Sequence, residues 1–176
     1  MPDDFNDAIK KAVNHFDLCK PVIEKMLGCE IINIENSNNE HDKIIDMKAG
    51  IDAWACYDSY VWGLASRIQI GKSYETFTIR CERESGALTE YAKRVKAIFY
   101  GHLYPHYTMQ AYINNDELVS LAICHTKDLF FKIISGKCSQ NRTGGDQIGQ
   151  AFFYVVDWLD FDGGDIRIYT KSDGYI

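Results

Sequence analysis

The sequence predicts an α/β sandwich with a mixed central β-sheet, in two or three layers. Three observations predict it. Stretches with apolar residues at helical spacing alternate with short β-branched and aromatic stretches. Apolar residues make up 46% and charged residues 25%, the balance of a globular domain. The 176 residues match one domain, 1–176, with no linker, repeat or low-complexity tract to divide them.

Helical spacing opens the chain. Asp4 or Asn6 is a candidate cap for a first helix carrying Phe5, Ile9, Ala12, Val13 and Phe16 on one face. Pro21 fits the first turn of a second helix that runs to Gly28. Cys29–Ile34 is short and β-branched, a strand, and 36–43 (NSNNEHDK) reads as a polar loop. Ile51–Tyr57 and Tyr60–Ile70 alternate as two strands joined at Asp58-Ser59, and Tyr74–Cys81 is a third. These three form a platform. Leu88–Tyr100 has a helical stripe of Leu88, Tyr91, Val95 and Ile98. Strands at Tyr107–Ile113 and Leu118–Cys124 follow, joined at Asn114-Asn115-Asp116, then a short helix at Leu129–Ile134. Residues 135–149 read as a loop. Phe152–Trp158 and Asp165–Thr170 read as a closing hairpin around Gly163-Gly164.

Bulk chemistry narrows the function classes. No apolar run approaches the roughly 20 residues that span a bilayer, and the acidic, amphipathic N-terminus lacks the pattern of a signal peptide. A cytoplasmic protein without a membrane partner is expected. The six cysteines, Cys19, Cys29, Cys56, Cys81, Cys124 and Cys138, form no CxxC pair and lie in or beside apolar segments. They read as small buried hydrophobes in a reducing compartment. The net charge of −6 argues against a protein that coats nucleic acid indiscriminately. Between Ser66 and Tyr100, however, seven Lys and Arg face four Glu, a local excess of +3.

The chemistry concentrates between Gly50 and Arg83. Asp46 and Asp52 flank Gly50 in DMKAGID, and Ala65, Arg67 and Gln69 share one face of the next strand. A hairpin about Asp58-Ser59 brings Asp52 opposite Leu64–Arg67. With a helical acid such as Glu24, this makes an oxygen-rich pocket suited to Mg²⁺. Thr78 and Arg80 share a face able to grip a phosphate.

A helix with an acid, then GID, a polar-faced strand, TFTIR and another helix resembles the PD-(D/E)XK nuclease superfamily over residues 20–100. The run GID…SRIQ…FTIR is also similar to that of small prokaryotic and phage proteins. The resemblance implies a restriction-endonuclease-like fold and Mg²⁺ held by Glu24, Asp52 and Gln69. Catalysis would fall to Asp52 and Gln69, assisted by Arg67 or Lys72. Arg80, Arg83, Lys93, Arg94 and Lys96 would contact the nucleic-acid backbone, DNA before RNA. Homo-oligomerisation stays open. The motif's lysine has no counterpart in register, because Gly71 stands two residues after Gln69. That departure favours a second reading, a non-catalytic binder of nucleic acid or of a protein partner in a defence setting. A third is a small-nucleotide binder using Thr78, Arg80 and the 142–149 loop. Weaker signals are turned aside. Pro105 breaks the helical spacing of His102 and His106. RTGGDQIG lacks the lysine of a phosphate loop. Asp160, Asp162 and Asp165 read as turn residues.

Overall fold

The structure is a computed structural model that describes residues 2–35, 37, 39–83, 88–142, 151–172 and 174–175; side chains are described for 15–35, 37, 39–82, 88–141 and 151–172. In chain order the elements are α1 (Pro2–Leu27), β1 (Glu30–Asn33), α2 (Glu40–Ala49), β2 (Ala53–Cys56), β3 (Val61–Ile70), β4 (Thr76–Arg83), α3 (Glu90–Tyr100), β5 (Tyr107–Asn114), β6 (Glu117–His125), α4 (Thr126–Ile134), β7 (Ser139–Arg142), β8 (Ala151–Asp157), a 3-10 turn at Trp158–Asp160, β9 (Ile166–Thr170) and β10 (Gly174–Tyr175).

Seven strands form a mixed sheet in the order β1-β2-β3-β5-β6-β9-β10, and three form a second sheet in the order β4-β8-β7. Only the step from β3 to β5 is parallel, with α3 in the connection; every other pairing is antiparallel. The centre is β5, buried at every residue but its last. Alternation sends Met109, Ala111 and Ile113 to one face and Tyr112 to the other. Against the first face lies α1, through Phe16, Cys19, Ile23, Met26 and Leu27. Against the second lie β4, β8, the 3-10 turn and α4, through Phe77, Ile79, Val156, Trp158 and Phe130, with Tyr91, Val95 and Ile98 of α3 beside them. The result is three layers: a helix, the seven-stranded sheet, and a mixed layer of small sheet and helices.

The expected turns hold. The turn at Asp58-Ser59 closes through Tyr57 N–H donating to the Tyr60 carbonyl at 2.9 Å. Asn115 and Asp116 take φ of 51° and 58°, as a tight two-residue hairpin demands. Of the expected stripe, Tyr91, Val95 and Ile98 form the packed face of α3, whereas Leu88 is 66% exposed and precedes the Thr89 cap. No helix among the described residues is long and apolar enough to cross a membrane. All six cysteines are free, but only Cys19 and Cys124 are buried, and Cys29, Cys56, Cys81 and Cys138 are half-buried, against the expectation of six buried thiols; burial raises the Cys19 thiol to about 12.

Other expectations are corrected. Pro21 lies inside one continuous helix rather than opening a second. The proline removes one N–H, and burial of the stripe on either side of it keeps the helix whole. The supposed polar loop runs into α2, capped by the Asn39 side chain, which accepts from His41 N–H at 2.9 Å. The three-strand platform does not exist, because β4 leaves β3 to pair with β8 in the second sheet. Residues 152–158 and 165–170 are not a hairpin: β8 pairs with β4 and β7, and β9 pairs with β6 and β10. The supposed loop holds β7, while residues 143–150 lie outside the described residues, as do the side chains before His15.

Gly63 marks a tight crossing. A Cβ there would stand 2.7 Å from Ile51 Cδ1 and 3.2 Å from the Pro105 backbone. Ile51 is fully buried and cannot swing into solvent. Gly63→Ala therefore overpacks the junction and lowers stability by about 1–3 kcal/mol in urea denaturation.

Candidate functional site

The functional features converge where α2 hands over to β2. Gly50 ends α2 in the left-handed conformation, φ 65°, with its N–H on the Asp46 carbonyl at 2.7 Å. That turn drops Ile51 into the core and delivers Asp52 to the start of β2. The backbone of Asp52 is pinned on both sides. Its N–H donates to the Leu64 carbonyl at 2.9 Å, and its carbonyl accepts from Ile34 and Glu35 at 2.9 and 3.1 Å. Its carboxylate Oδ2 accepts from Ser66 N–H at 2.5 Å and Ser66 Oγ at 3.1 Å.

Around Asp52 opens a cavity of about 470 Å³, lined among others by Glu35, Asp46, Ser66, Arg67, Arg80, Glu90, Lys93 and Arg94. Four secondary elements supply it: α2, β3, β4 and α3. Thr89 caps α3 by accepting from Ala92 N–H, which sets Glu90 and Arg94 one turn apart on the cavity side. Glu90 binds Arg67 at 2.6 Å and Arg94 at 2.9 Å, and accepts a further hydrogen bond from the Arg80 backbone. Burial pushes the Glu90 carboxyl up, but Arg94 and then Arg67 outweigh it, and the net shift is downward. Glu90 is thus held as an anion. Arg94, only 7% exposed, also reaches the Gly50 carbonyl at 3.5 Å, tying α3 to the end of α2.

The other acids behave oppositely. Burial raises Asp52 to about 7; Ser66 N–H and Arg94 pull against it, while Glu35 and Asp46 add to it. Asp46 is raised by burial, partly offset by its hydrogen bond to Asp52 and by Lys93. Glu35, at the exposed rim, is raised by partial burial of its carboxyl and by Asp46. Asp46 and Asp52 line one cavity, and a charge on Asp46 disfavours ionisation of Asp52.

The expected site residues divide. Asp52, Arg67, Arg80, Lys93 and Arg94 come together in this cavity. Glu24 does not. It lies on α1, against the other face of the sheet, and its carboxylate caps the edge strand by accepting from Ile31 N–H at 3.0 Å. Gln69 is three residues past Ser66 on β3, roughly 10 Å along the strand, and lines a separate cleft. Lys72 lies beyond β3 with its ammonium 5.9 Å from the Tyr74 ring centroid. The set Glu24, Asp52 and Gln69 is therefore not assembled. Lys96 faces a surface hollow with Phe99 and Tyr100. The side chain of Arg83 lies outside the described residues. Thr78 does not share the cavity with Arg80; its hydroxyl donates to Gln110 Oε1 at 3.1 Å.

Asp46, Glu90, Glu35 and Ser66 joined the site without being singled out as ligands in the sequence. The local signals for them were the Glu90/Arg94 spacing at i,i+4 and the place of Asp46 beside Asp52 in DMKAGID. Among the described residues no group of three His, Cys, Asp or Glu is arranged to hold a metal ion. No family model, curated protein or solved structure matches the chain.

Two outcomes follow from these charges. Glu90→Gln strands the buried Arg94 without its carboxylate and costs about 3 kcal/mol in chemical denaturation, the size of a broken buried ion pair. Asp52, raised from 3.8 to about 7, keeps a proton in the folded state that the unfolded chain has already released. Wild-type stability therefore falls as pH rises from about 4 through about 7. Asp52→Asn cannot ionise, so its melting temperature exceeds that of wild type above about pH 7, by about 2–4 °C for each kcal/mol. The two curves converge toward about pH 4.

Proposed function

We propose that the cavity around Asp52 binds a phosphodiester group of nucleic acid and, with Mg²⁺, hydrolyses it. The observation that carries this reading is that the Asp46 and Asp52 carboxyls line one cavity with Lys93, Arg67, Arg80 and Arg94. Phosphodiester hydrolysis needs negative charge to be neutralised as it builds up, and guanidinium groups and a divalent ion do that.

The donor set suits Mg²⁺, which is commonly bound through one or two carboxylates and keeps several waters. Asp46 and Asp52 would hold it, and the ion would supply an activated water and charge neutralisation. Asp52 is fixed for this by Ser66 on one oxygen. Arg67 and Arg80 stand over the Phe153 ring, with guanidinium carbons 5.2 and 5.5 Å from its centroid, and line the same cavity, where a phosphate would meet their charge. Lys93 is exposed and close enough to Asp46 to lower its carboxyl. It would orient water or a phosphate oxygen, the part for which the strand lacks a lysine. Support for a restriction-endonuclease-like scaffold comes from the meander β1-β2-β3, the helix α3 and the parallel β5 that follows it.

One observation favours a second reading: with no three-acid metal group among the described residues, the same cavity serves as a non-catalytic phosphate grip. A cleavage assay on single- and double-stranded DNA and RNA with Mg²⁺ or Mn²⁺ separates the two. The catalytic reading expects cleavage by wild type, none above background by Asp52→Ala, and a loss of about a hundredfold in Lys93→Ala, the scale of one lost electrostatic contact. Equal cleavage by wild type and Asp52→Ala overturns it. Salt-sensitive binding without cleavage by any variant establishes the second reading.

A further inference from the structure

Beside the acidic cavity, and sharing Arg67 with it, lies a larger cleft of about 640 Å³ between the end of β3 and the strands of the small sheet. Its size is that of a small-molecule site. Phe153 forms part of its wall, under Arg67, and Tyr74, 59% exposed, stands at its mouth. Gln69 and Asn141 also line it. The amide groups of these two side chains bond to no other described residue, whereas the hydroxyls of Thr76 and Thr78 are engaged by Tyr112 and Gln110.

A flat ligand with an apolar face and a hydrogen-bonding edge fits this lining. The exposed Tyr74 ring and the Arg67 guanidinium plane, itself backed by the buried Phe153 ring, receive the face, and the amides of Gln69 and Asn141 read the edge. Nucleobases have this form. The shared Arg67 ties the base to a phosphate in the neighbouring cavity, because one guanidinium lies on the wall of both. A base inside a duplex cannot enter without leaving its stack, which costs a few kcal/mol, while an unpaired base pays little.

We infer that the cleft lined by Gln69, Tyr74, Asn141 and Phe153 receives an unpaired nucleobase, making the ligand of this protein single-stranded nucleic acid or a strand end rather than continuous duplex. The inference rests on the phosphodiester reading of the adjacent cavity and names the substrate class of that site. Gln69, expected as a metal ligand, becomes a base-reading residue.

Fluorescence anisotropy with a labelled short oligonucleotide tests it, in EDTA and again with Ca²⁺ in place of Mg²⁺. The arms are the single strand, its blunt duplex, and the single strand with abasic positions. Unlabelled nucleoside monophosphate and ribose phosphate serve as competitors, to distinguish a base in a strand from a free nucleotide. The single strand is expected to bind about tenfold tighter than duplex or abasic strand, the size of one stacked base. Tyr74→Ala, at a side chain 59% exposed whose ring meets the core only at the edge of Tyr112, is expected to remove most of that preference. Phe153→Leu, which keeps apolar volume in a buried position, is expected to do the same. Equal affinity for single strand, duplex and abasic strand overturns the inference, and with Asp52-dependent cleavage intact it leaves the phosphodiester reading standing. A preference that survives both substitutions also overturns it. Failure to bind any of the three under either condition overturns both readings. Competition by the monophosphate but not by any oligonucleotide reassigns the cleft to a free nucleotide and overturns the strand inference.

Discussion

The Glu90 carboxylate is the charge on which the rest of the site depends. Four cationic groups crowd one cavity: Arg67 from β3, Arg80 from β4, and Lys93 and Arg94 from α3. Without an anion among them, burying Arg94 at 7% exposure would be prohibitive. Glu90 resolves this by taking Arg67 and Arg94 together, and the Arg80 backbone as well. A single residue thereby couples the large sheet, the small sheet and α3. It lies one position past the Thr89 cap, so the start of α3 is fixed by the same short stretch that fixes the charges.

The fold around this anchor separates two jobs that the strand β3 performs at once. One face of β3 sends Leu64 into the apolar layer under α1. The other presents Arg67 and Gln69 to the space between the sheets, where the acidic cavity and the larger cleft meet. The departure of β4 into its own sheet is what opens that space. Had β4 stayed hydrogen-bonded to β3, it would have occupied the edge at which β5 pairs, and the parallel core step would be lost.

Legibility in the sequence followed burial. The Asp58-Ser59 hairpin, the β5–β6 pair and the α3 stripe were readable because strong alternation or spacing reports a buried face. The helix α2 was not readable because it buries nothing: Ile44 and Met47 are 44% and 64% exposed, so no apolar stripe was written into it. The same helix supplies Asp46, which was legible beside Asp52 in DMKAGID but not as a residue facing the cavity. Glu24 was misplaced for a different reason. An acid on a helix ahead of a strand has the same local pattern whether it faces a cavity or caps a strand edge, and only tertiary packing tells which. The glycine pair at 163–164 has the composition of a hairpin turn, yet the 3-10 turn at Trp158–Asp160 redirects the chain and β9 pairs with β6 instead. Local composition names a turn without naming the strands it joins.

The charge balance of the cavity says why a proton and a metal would compete there. Among its described lining residues four acids, Glu35, Asp46, Asp52 and Glu90, face the four cations Arg67, Arg80, Lys93 and Arg94. With every acid ionised the cavity is neutral and holds a phosphate weakly. Two changes make it positive. Protonation of Asp52, whose carboxyl stands at about 7, removes one negative charge. A divalent cation on Asp46 and Asp52 adds two positive charges while displacing that proton. Near neutral pH the first change is half complete and the second is open to any Mg²⁺ present. On the proposed reading the apo site thus grips phosphate best when acidic, and the metal-loaded site grips it when Asp52 has ionised. Phosphate affinity would pass from proton control to metal control across the titration of one aspartate, and Glu90, held as an anion throughout, keeps the arginines in place while it does so.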